Sequence, residues 1–276
     1  MASSNKICLI AGASGMIGAA VAECFHADGA RLALTYYSQR PRSETFLHSP
    51  NGQDVLQIPL DIRNRESTEA AVQQVITHFG GIDVLVNCTG VLGPIGPMAQ
   101  APIDDWVRAV EINLLGSFYL TRAVLPTMLA QGYGKIIHFS GGGAAYARPF
   151  FTAYSASKAG LVRFTESLAE ELRGSGIDVN TIAPGPVNSR MWEQMRTSAE
   201  VAGAQTIADL KKMGESGGVP PELAATLARF LVSDAANGLS GRLISAVYDD
   251  WSGLDDQRIA AIMQGEAGTL RRVALV

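Results

Sequence analysis

The sequence predicts an α/β fold: one doubly wound parallel sheet of about seven strands, with helices on both faces. Three observations lead there. Short apolar runs recur roughly every 25–30 residues, and helix-patterned stretches separate them. The chain has 276 residues, a length that suits one large domain, and no linker, repeat or low-complexity tract divides it. Glycine is abundant, 29 of 276 residues, against a usual share of about 7%. Backbone must therefore turn tightly, or approach a partner closely, at several points.

The first strand covers residues 7–11 and ends in glycines. A helix follows to about residue 28, where Gly29 stops it. Residues 31–36 form the second strand and 55–59 the third, with a polar segment between them. Residues 64–79 are helix-patterned and closed by Gly80 and Gly81, and the fourth strand is 82–86. Residues 104–130 form a long amphipathic stretch, in which Pro126 predicts a kink or break. The fifth strand is 135–139; a small-residue loop then leads to a helix over 152–172. Residues 177–182 are the sixth strand, and 189–218 are polar, Met-containing and weakly patterned. A helix over 221–232 and a strand over 243–247 follow. Crossovers between parallel strands are right-handed, which sets helices on both faces. Residues 1–251 make the domain, and 252–276 an extension of it with a helical segment at 255–263.

Composition narrows the function. Hydrophobic residues make up 47% of the chain and charged residues 17%, which excludes a disordered protein. Net charge is −4, so the cation excess that nucleic-acid binding needs is missing. Cys8, Cys24 and Cys88 are odd in number and form no C-x-x-C pair, which points to reduced thiols and a cytoplasmic location. His26, His48, His78 and His138 lack metal-ligand spacing, so no metal is expected. Residues 7–22 are free of charge, like a signal peptide. Gly12, Gly15 and Gly18 interrupt the run, and it is shorter than the roughly 20 residues of a membrane span. No membrane role is expected.

The stretch Ala11-Gly12-Ala-Ser14-Gly15-Met16-Ile17-Gly18 joins the first strand to the first helix. In that context one glycine serves a tight turn, one lets backbone approach a pyrophosphate, and one lets helix pack on strand. The helix N-terminus offers N–H groups to the phosphates. The plain alternative is a tight turn without a ligand. NAD sites usually carry an acidic residue at the end of the second strand. Here the residues are Tyr36-Tyr37-Ser38-Gln39-Arg40. No carboxylate repels a 2′-phosphate, and Ser38 and Arg40 are suited to bind one, so NADP(H) is favoured over NAD(H).

Tyr154-Ser-Ala-Ser-Lys158 places two side chains on one helix face. A free tyrosine titrates near pH 10, too high for proton transfer at neutrality. A lysine ammonium alongside favours the phenolate, which suits Tyr154 to general acid–base work.

With these motifs in order, the sequence resembles the short-chain dehydrogenase/reductase family, classical type, over about residues 5–245. The resemblance implies a single-domain Rossmann-type fold and an NAD(P)-dependent oxidoreductase that moves a hydride between NADP(H) and a carbonyl or secondary alcohol. Asn87-Cys-Thr-Gly90 resembles the family's Asn-Asn-Ala-Gly signature, and Asp61-Ile62 its adenine-contacting pair. Asn113 matches the asparagine that holds a water in the proton relay. Tyr154 and Lys158 match the catalytic pair, the lysine also holding the nicotinamide ribose. Pro184-Gly185, with Val187 and Ser189, resembles the segment that contacts the nicotinamide amide.

Three departures stand out. The glycine spacing differs from the classical one, since Met16 stands where a glycine is usual. The position thirteen residues before the tyrosine, usually the catalytic serine, is Gly141, and Ser140 precedes it. Ser140 is taken as the group that polarises the carbonyl; an N–H of the triglycine run Gly141–Gly143 is the alternative. The chain end also lacks the family's Asp-Gly-Gly, and Arg271 and Arg272 are candidates to reach an anionic substrate or a neighbouring subunit.

Met191, Trp192, Met195 and Met213 in a lid, with Phe150 and Phe151, suit an apolar small-molecule carbonyl or alcohol substrate. The family implies a homodimer or homotetramer, with Leu161, Phe164, Leu168 and Phe118 as candidate contacts. Two other classes remain: a catalytically silent cofactor-binding sensor or scaffold, and an epimerase or lyase that uses bound nicotinamide transiently.

Overall fold

A computed structural model describes residues 2–41 and 55–271. Five consecutive apolar residues, all buried, make β1 (Ile7–Ala11) a strand covered on both faces. It pairs with β2 (Arg31–Tyr36) on one side and β4 (Val84–Asn87) on the other. Beyond these lie β3 (Val55–Pro59), β5 (Gly134–Phe139), β6 (Ile177–Ala183) and β7 (Leu243–Ser245). The order is β3-β2-β1-β4-β5-β6-β7, parallel throughout. It reverses between β1 and β4, and sheets of this kind bind ligands beyond the strand ends at such a point.

Strand periodicity sorts the core into two layers. Cys8 and Ile10 face α1 (Met16–Ala27) and α8 (Pro221–Leu231), packing with Val21, Phe25, Leu227 and Leu231. Ile7, Leu9 and Ala11 face the opposite layer, made by α2 (Arg65–Phe79), α4 (Gly116–Gln131) and α5 (Thr152–Glu171). Each large side chain buried there contributes about 1.5–3 kcal/mol. Local signals set the helix ends. The Asn64 side chain accepts the Ser67 N–H to start α2, and Gly80, at φ +90°, ends it in the left-handed region that glycine favours.

Several boundaries differ from the sequence reading. The stretch 104–130 is not one helix. It runs as α3 (Ile103–Val110), a wide π turn (Glu111–Leu115) and α4. The interruption falls at the π turn, and α4 continues through Pro126. The weakly patterned segment 189–218 holds two helices, α6 (Arg190–Thr197) and α7 (Gly203–Ser216). Strand β7 ends at Ser245, whose N–H turns to Asp249 Oδ2 at 2.7 Å. The extension carries α9 (Asp256–Gln264), capped by Asp255, which accepts from the Arg258 N–H.

Candidate active site

The glycine turn is built as a cradle. Gly12 has φ +75°. A Cβ at Gly18 would lie 2.3 Å from the Gly12 carbonyl oxygen, so α1 packs directly on the turn's backbone. A Cβ at Gly15 would have ordinary contact at 3.4 Å, and Met16 is exposed. The tight helix–turn approach therefore rests on Gly12 and Gly18. No side chain caps α1, which leaves its first N–H groups to a phosphate. This cradle fits the pyrophosphate of a dinucleotide.

At the end of β2, Arg40 Nε donates to Tyr36 Oη at 2.9 Å. Ser38 is exposed beside them. Sequence reasoning missed Arg63, which bonds Asp61 through Nη2 at 2.6 Å and Nε at 2.9 Å and stacks on the Tyr37 ring. Its hydrogen bonds hold the Asp61 carboxyl below the usual carboxylate range. Ile62 is buried, and a Cβ on Gly116 would meet it at 2.8 Å. Arg190 donates to Gln39 at 2.7 Å from the start of α6.

Asn87 closes the turn after β4. Its Oδ1 accepts from Thr89 N at 3.1 Å and Oγ1 at 2.6 Å, while Nδ2 donates to Ser117 Oγ at 2.9 Å. A Cβ on Gly90 would lie 3.1 Å from Lys158 Nζ and 3.4 Å from Asn113 Oδ1, so the glycine keeps the lysine close. The π turn carries Asn113, which is fully buried. Its amide is spent within the protein: Oδ1 accepts from Val91 N, and Nδ2 donates to Val91 O and Ser157 Oγ, each at 2.9 Å. Asn113 thus clamps the strand-end loop to α5. Its carbonyl oxygen accepts from Ser117 Oγ at 2.8 Å and keeps a second lone pair.

Lys158 is 3% exposed, and its Nζ donates to Phe139 O at 2.8 Å and, more weakly, to Thr89 O at 3.5 Å. Burial brings its pKa down from 10.5 to about 8. The same burial, with Lys158 nearby, lowers His138 to about 3, a neutral imidazole beside Thr121. Tyr154 departs from expectation. Burial raises its pKa above the ordinary 10, and the cation that opposes the rise is Arg148, not Lys158.

The serine question has a structural answer in part. A Cβ on Gly141 would lie 2.3 Å from Tyr154 Oη, so the tyrosine hydroxyl occupies the space a side chain would need there. Ser140 is 5% exposed, and its Oγ has no hydrogen-bond partner among the described residues. Gly141 is thus the residue against the hydroxyl, and Ser140 is its buried neighbour. The segment after β6 forms the far wall. Pro184 is buried; Gly185, at φ +80°, has Val219 and Val247 over it; Val187 is 4% exposed; and Ser189 opens α6. The lid helices bring Met195 and Ala202 into one buried cluster with Leu92, Phe151 and Tyr154, and Met191 and Trp192 pack against it.

Residues 6–200 match the family described as short chain dehydrogenase. The chain belongs to that family. A 3-oxoacyl-acyl-carrier-protein reductase of Thermotoga maritima is 31% identical over 242 residues, covering 87% of this chain and 95% of the relative. Nodulation protein G of Rhizobium meliloti is 34% identical over 241 residues, with the same coverage of 87% and 95%. Among solved structures, a variant of actinorhodin polyketide ketoreductase with NADPH superposes with a TM-score of 0.76 at 26% identity, covering 87% of this chain and 95% of that one. This short-chain dehydrogenase is an NAD(P)-dependent oxidoreductase that acts on carbonyl or alcohol substrates.

Two candidate regions stand elsewhere. Arg271 pairs with Glu266 at 3.1 Å, and the tail lies along α5 at Arg163 and Glu166. Glu166 is twelve residues beyond Tyr154, about 18 Å along the helix, so Arg271 does not reach the site. Arg272 and His48 lie outside the described residues. Leu161 and Leu168 are buried within their own chain and present no free face. Phe118 is 40% exposed and meets Phe164 edge-on. Among the described residues no helix is long and apolar enough to cross a membrane, and no group of three His, Cys, Asp or Glu is placed to hold a metal ion.

Proposed function

We propose that this short-chain dehydrogenase uses NADP(H) in preference to NAD(H) and acts on the ketone or secondary alcohol of a small molecule with an apolar body. The observation that carries the cofactor preference is Arg40, fixed on Tyr36 at the end of β2 with no acidic residue at that position. The cofactor, when bound, supplies or accepts the hydride. Gly12, Ser14, Gly15, Met16, Ile17 and Gly18 would hold its pyrophosphate, with Ser38 and Arg40 at the 2′-phosphate. Asp61, Ile62, Asn87 and Gly90 would line the adenine side, and Pro184, Gly185, Val187 and Ser189 the nicotinamide amide.

Tyr154 protonates the carbonyl oxygen in reduction and takes that proton back in oxidation. Lys158 orients the ribose and, with a pKa near neutrality, returns the proton to Tyr154. Asn113 holds the loop and offers its carbonyl to the relay water. Ser140 is the proposed carbonyl donor, with a buried hydroxyl that no described residue engages. The apolar lid cluster excludes water from the reacting centre. The protein is proposed to work in the cytoplasm as a homodimer or homotetramer.

The test titrates NADPH and NADH by fluorescence, then screens ketones and alcohols at 340 nm with Tyr154→Phe as the control. NADPH-dependent turnover lost in the variant supports the reading. Equal affinity for both cofactors overturns the preference, and turnover that survives Tyr154→Phe overturns the mechanism.

A further inference from the structure

We propose that Arg148 receives a carboxylate of the substrate, so that the enzyme acts on an oxo acid or hydroxy acid with an apolar body. The inference rests on the oxidoreductase reading above and names the substrate class of the same site.

Arg148 lies on the loop between β5 and α5, six residues before Tyr154. Its guanidinium stacks 4.2 Å from the ring centroid of Phe151, which is fully buried three residues before the catalytic tyrosine. Stacking on a ring face constrains a guanidinium without using its N–H donors. One of the five N–H donors reaches Met195 Sδ on the lid helix at 3.2 Å, and a thioether is a weak acceptor. Among the described residues no carboxylate lies within ion-pair distance of Arg148. Arg63, Arg108, Arg163, Arg173 and Arg196 each have one.

A half-buried guanidinium with only a sulfur to bond among the described residues is poorly satisfied by them. Its surroundings say what would satisfy it. Phe151, which it stacks on, and Met195, which it bonds, belong to the buried cluster that contains Tyr154 and Leu92. A ligand reaching Arg148 through that cluster therefore presents an apolar body and an anionic end. One cation with no counter-ion among the described residues matches one negative charge, a carboxylate, better than a phosphate dianion. Arg148 also opposes the burial-driven rise of the Tyr154 pKa.

The test compares two oxo acids with their ethyl esters: 2-oxo-4-phenylbutanoate and 4-oxo-4-phenylbutanoate, which set the carboxylate at different distances from the ketone. With NADPH, the wild type should reduce at least one acid with about 10- to 100-fold higher kcat/KM than its ester, mainly through KM. Arg148→Gln should erase that ratio, and Arg148→Lys, which keeps the charge without the fork, should retain part of it. A thermal melt of each variant checks the fold. Esters reduced as well as both acids by the wild type would overturn the proposal, as would a preference that persists in Arg148→Gln.

Binding is measured separately, by the fluorescence change of the protein's tryptophans, Trp192 in the lid among them. 3-Phenylpropanoate should bind at least 10-fold more tightly than 3-phenylpropanamide, and Arg148→Gln should remove the difference. Equal binding of acid and amide overturns the carboxylate site, and tighter binding of 3-phenylpropyl phosphate overturns the choice of anion. Acid binding through Arg148 with no NADPH consumed on any of the four ketones would support the site and count against the oxidoreductase reading alone.

Discussion

Lys158 gives a test that needs neither substrate nor cofactor. Its ammonium is fully inside the protein, and burial brings its pKa from 10.5 to about 8. Below pH 8 the folded chain carries a buried charge that the unfolded chain would leave in water. Between pH 8 and 10.5 the unfolded chain still binds the proton that the folded chain has released, so folding becomes more favourable as pH rises through that window. The two pKa values give a penalty of about 3 kcal/mol at pH 7, falling to about 1.4 kcal/mol at pH 9.5. The lysine should therefore relieve about 2 kcal/mol between those two pH values.

Lys158→Met isolates that contribution. The variant also loses the hydrogen bond to Phe139 O, but that loss is the same at both pH values. Cys88 and Tyr154, both raised by burial, add their own pH dependence, but both proteins carry them and the difference between the two removes it. Urea denaturation of both proteins at pH 7 and 9.5 should show the wild type gaining about 2 kcal/mol relative to Lys158→Met. A constant gap across that range would mean that Lys158 keeps an ordinary pKa, and the account of a desolvated active-site ammonium would fail.

Three further outcomes are expected. Gly18→Ala drives a Cβ to 2.3 Å from a backbone oxygen that cannot yield, whereas at Gly15 the contact is 3.4 Å. Gly18→Ala should then cost about 1–3 kcal/mol in urea denaturation and Gly15→Ala less than about 1; equal costs would contradict the assigned packing. Arg40→Gln should weaken NADPH about 10- to 100-fold with NADH changed less than about threefold. A parallel loss for both cofactors would remove Arg40 from the 2′-phosphate site. Gly141→Ala should move the Tyr154 hydroxyl by about 1 Å and lower kcat/KM on any accepted ketone about 100-fold. Full activity in that variant would show that the hydroxyl works from another position.

The fold was legible wherever one local signal dominated. Unbroken apolar runs such as Ile7–Ala11 read as buried parallel strands because both faces are covered, and the structure places them so. At Pro126 a local rule is overridden by tertiary contacts. Pro126 breaks an isolated helix, yet α4 runs through it, anchored on both sides by Leu120, Val124 and Met128 in the core. The π turn at Glu111–Leu115 has no sequence marker of its own. It turns Asn113 inward against Val91 and Ser157, two partners distant in sequence. Helices α6 and α7 hide in a polar segment because few of their residues are buried, Met195 and Met213 among them.

The site shows the same division more sharply. Tyr154 and Lys158 were found because their spacing on one helix is fixed by helical geometry alone. What the pair does to its own protons was not, because that depends on where each side chain ends. Lys158 finds the Phe139 carbonyl, and Tyr154 finds the bare Cα of Gly141. Burial raises the Tyr154 pKa above its ordinary value, and Arg148 opposes that rise. Gly141 and Arg148 lie seven residues apart in one loop that is short of polar side chains. Gly141 yields its space to the tyrosine hydroxyl, and Arg148 stacks on Phe151, which shares a buried cluster with Tyr154. Arg148 is the one arginine of that loop, and in the sequence it stands between the triglycine run and Tyr154.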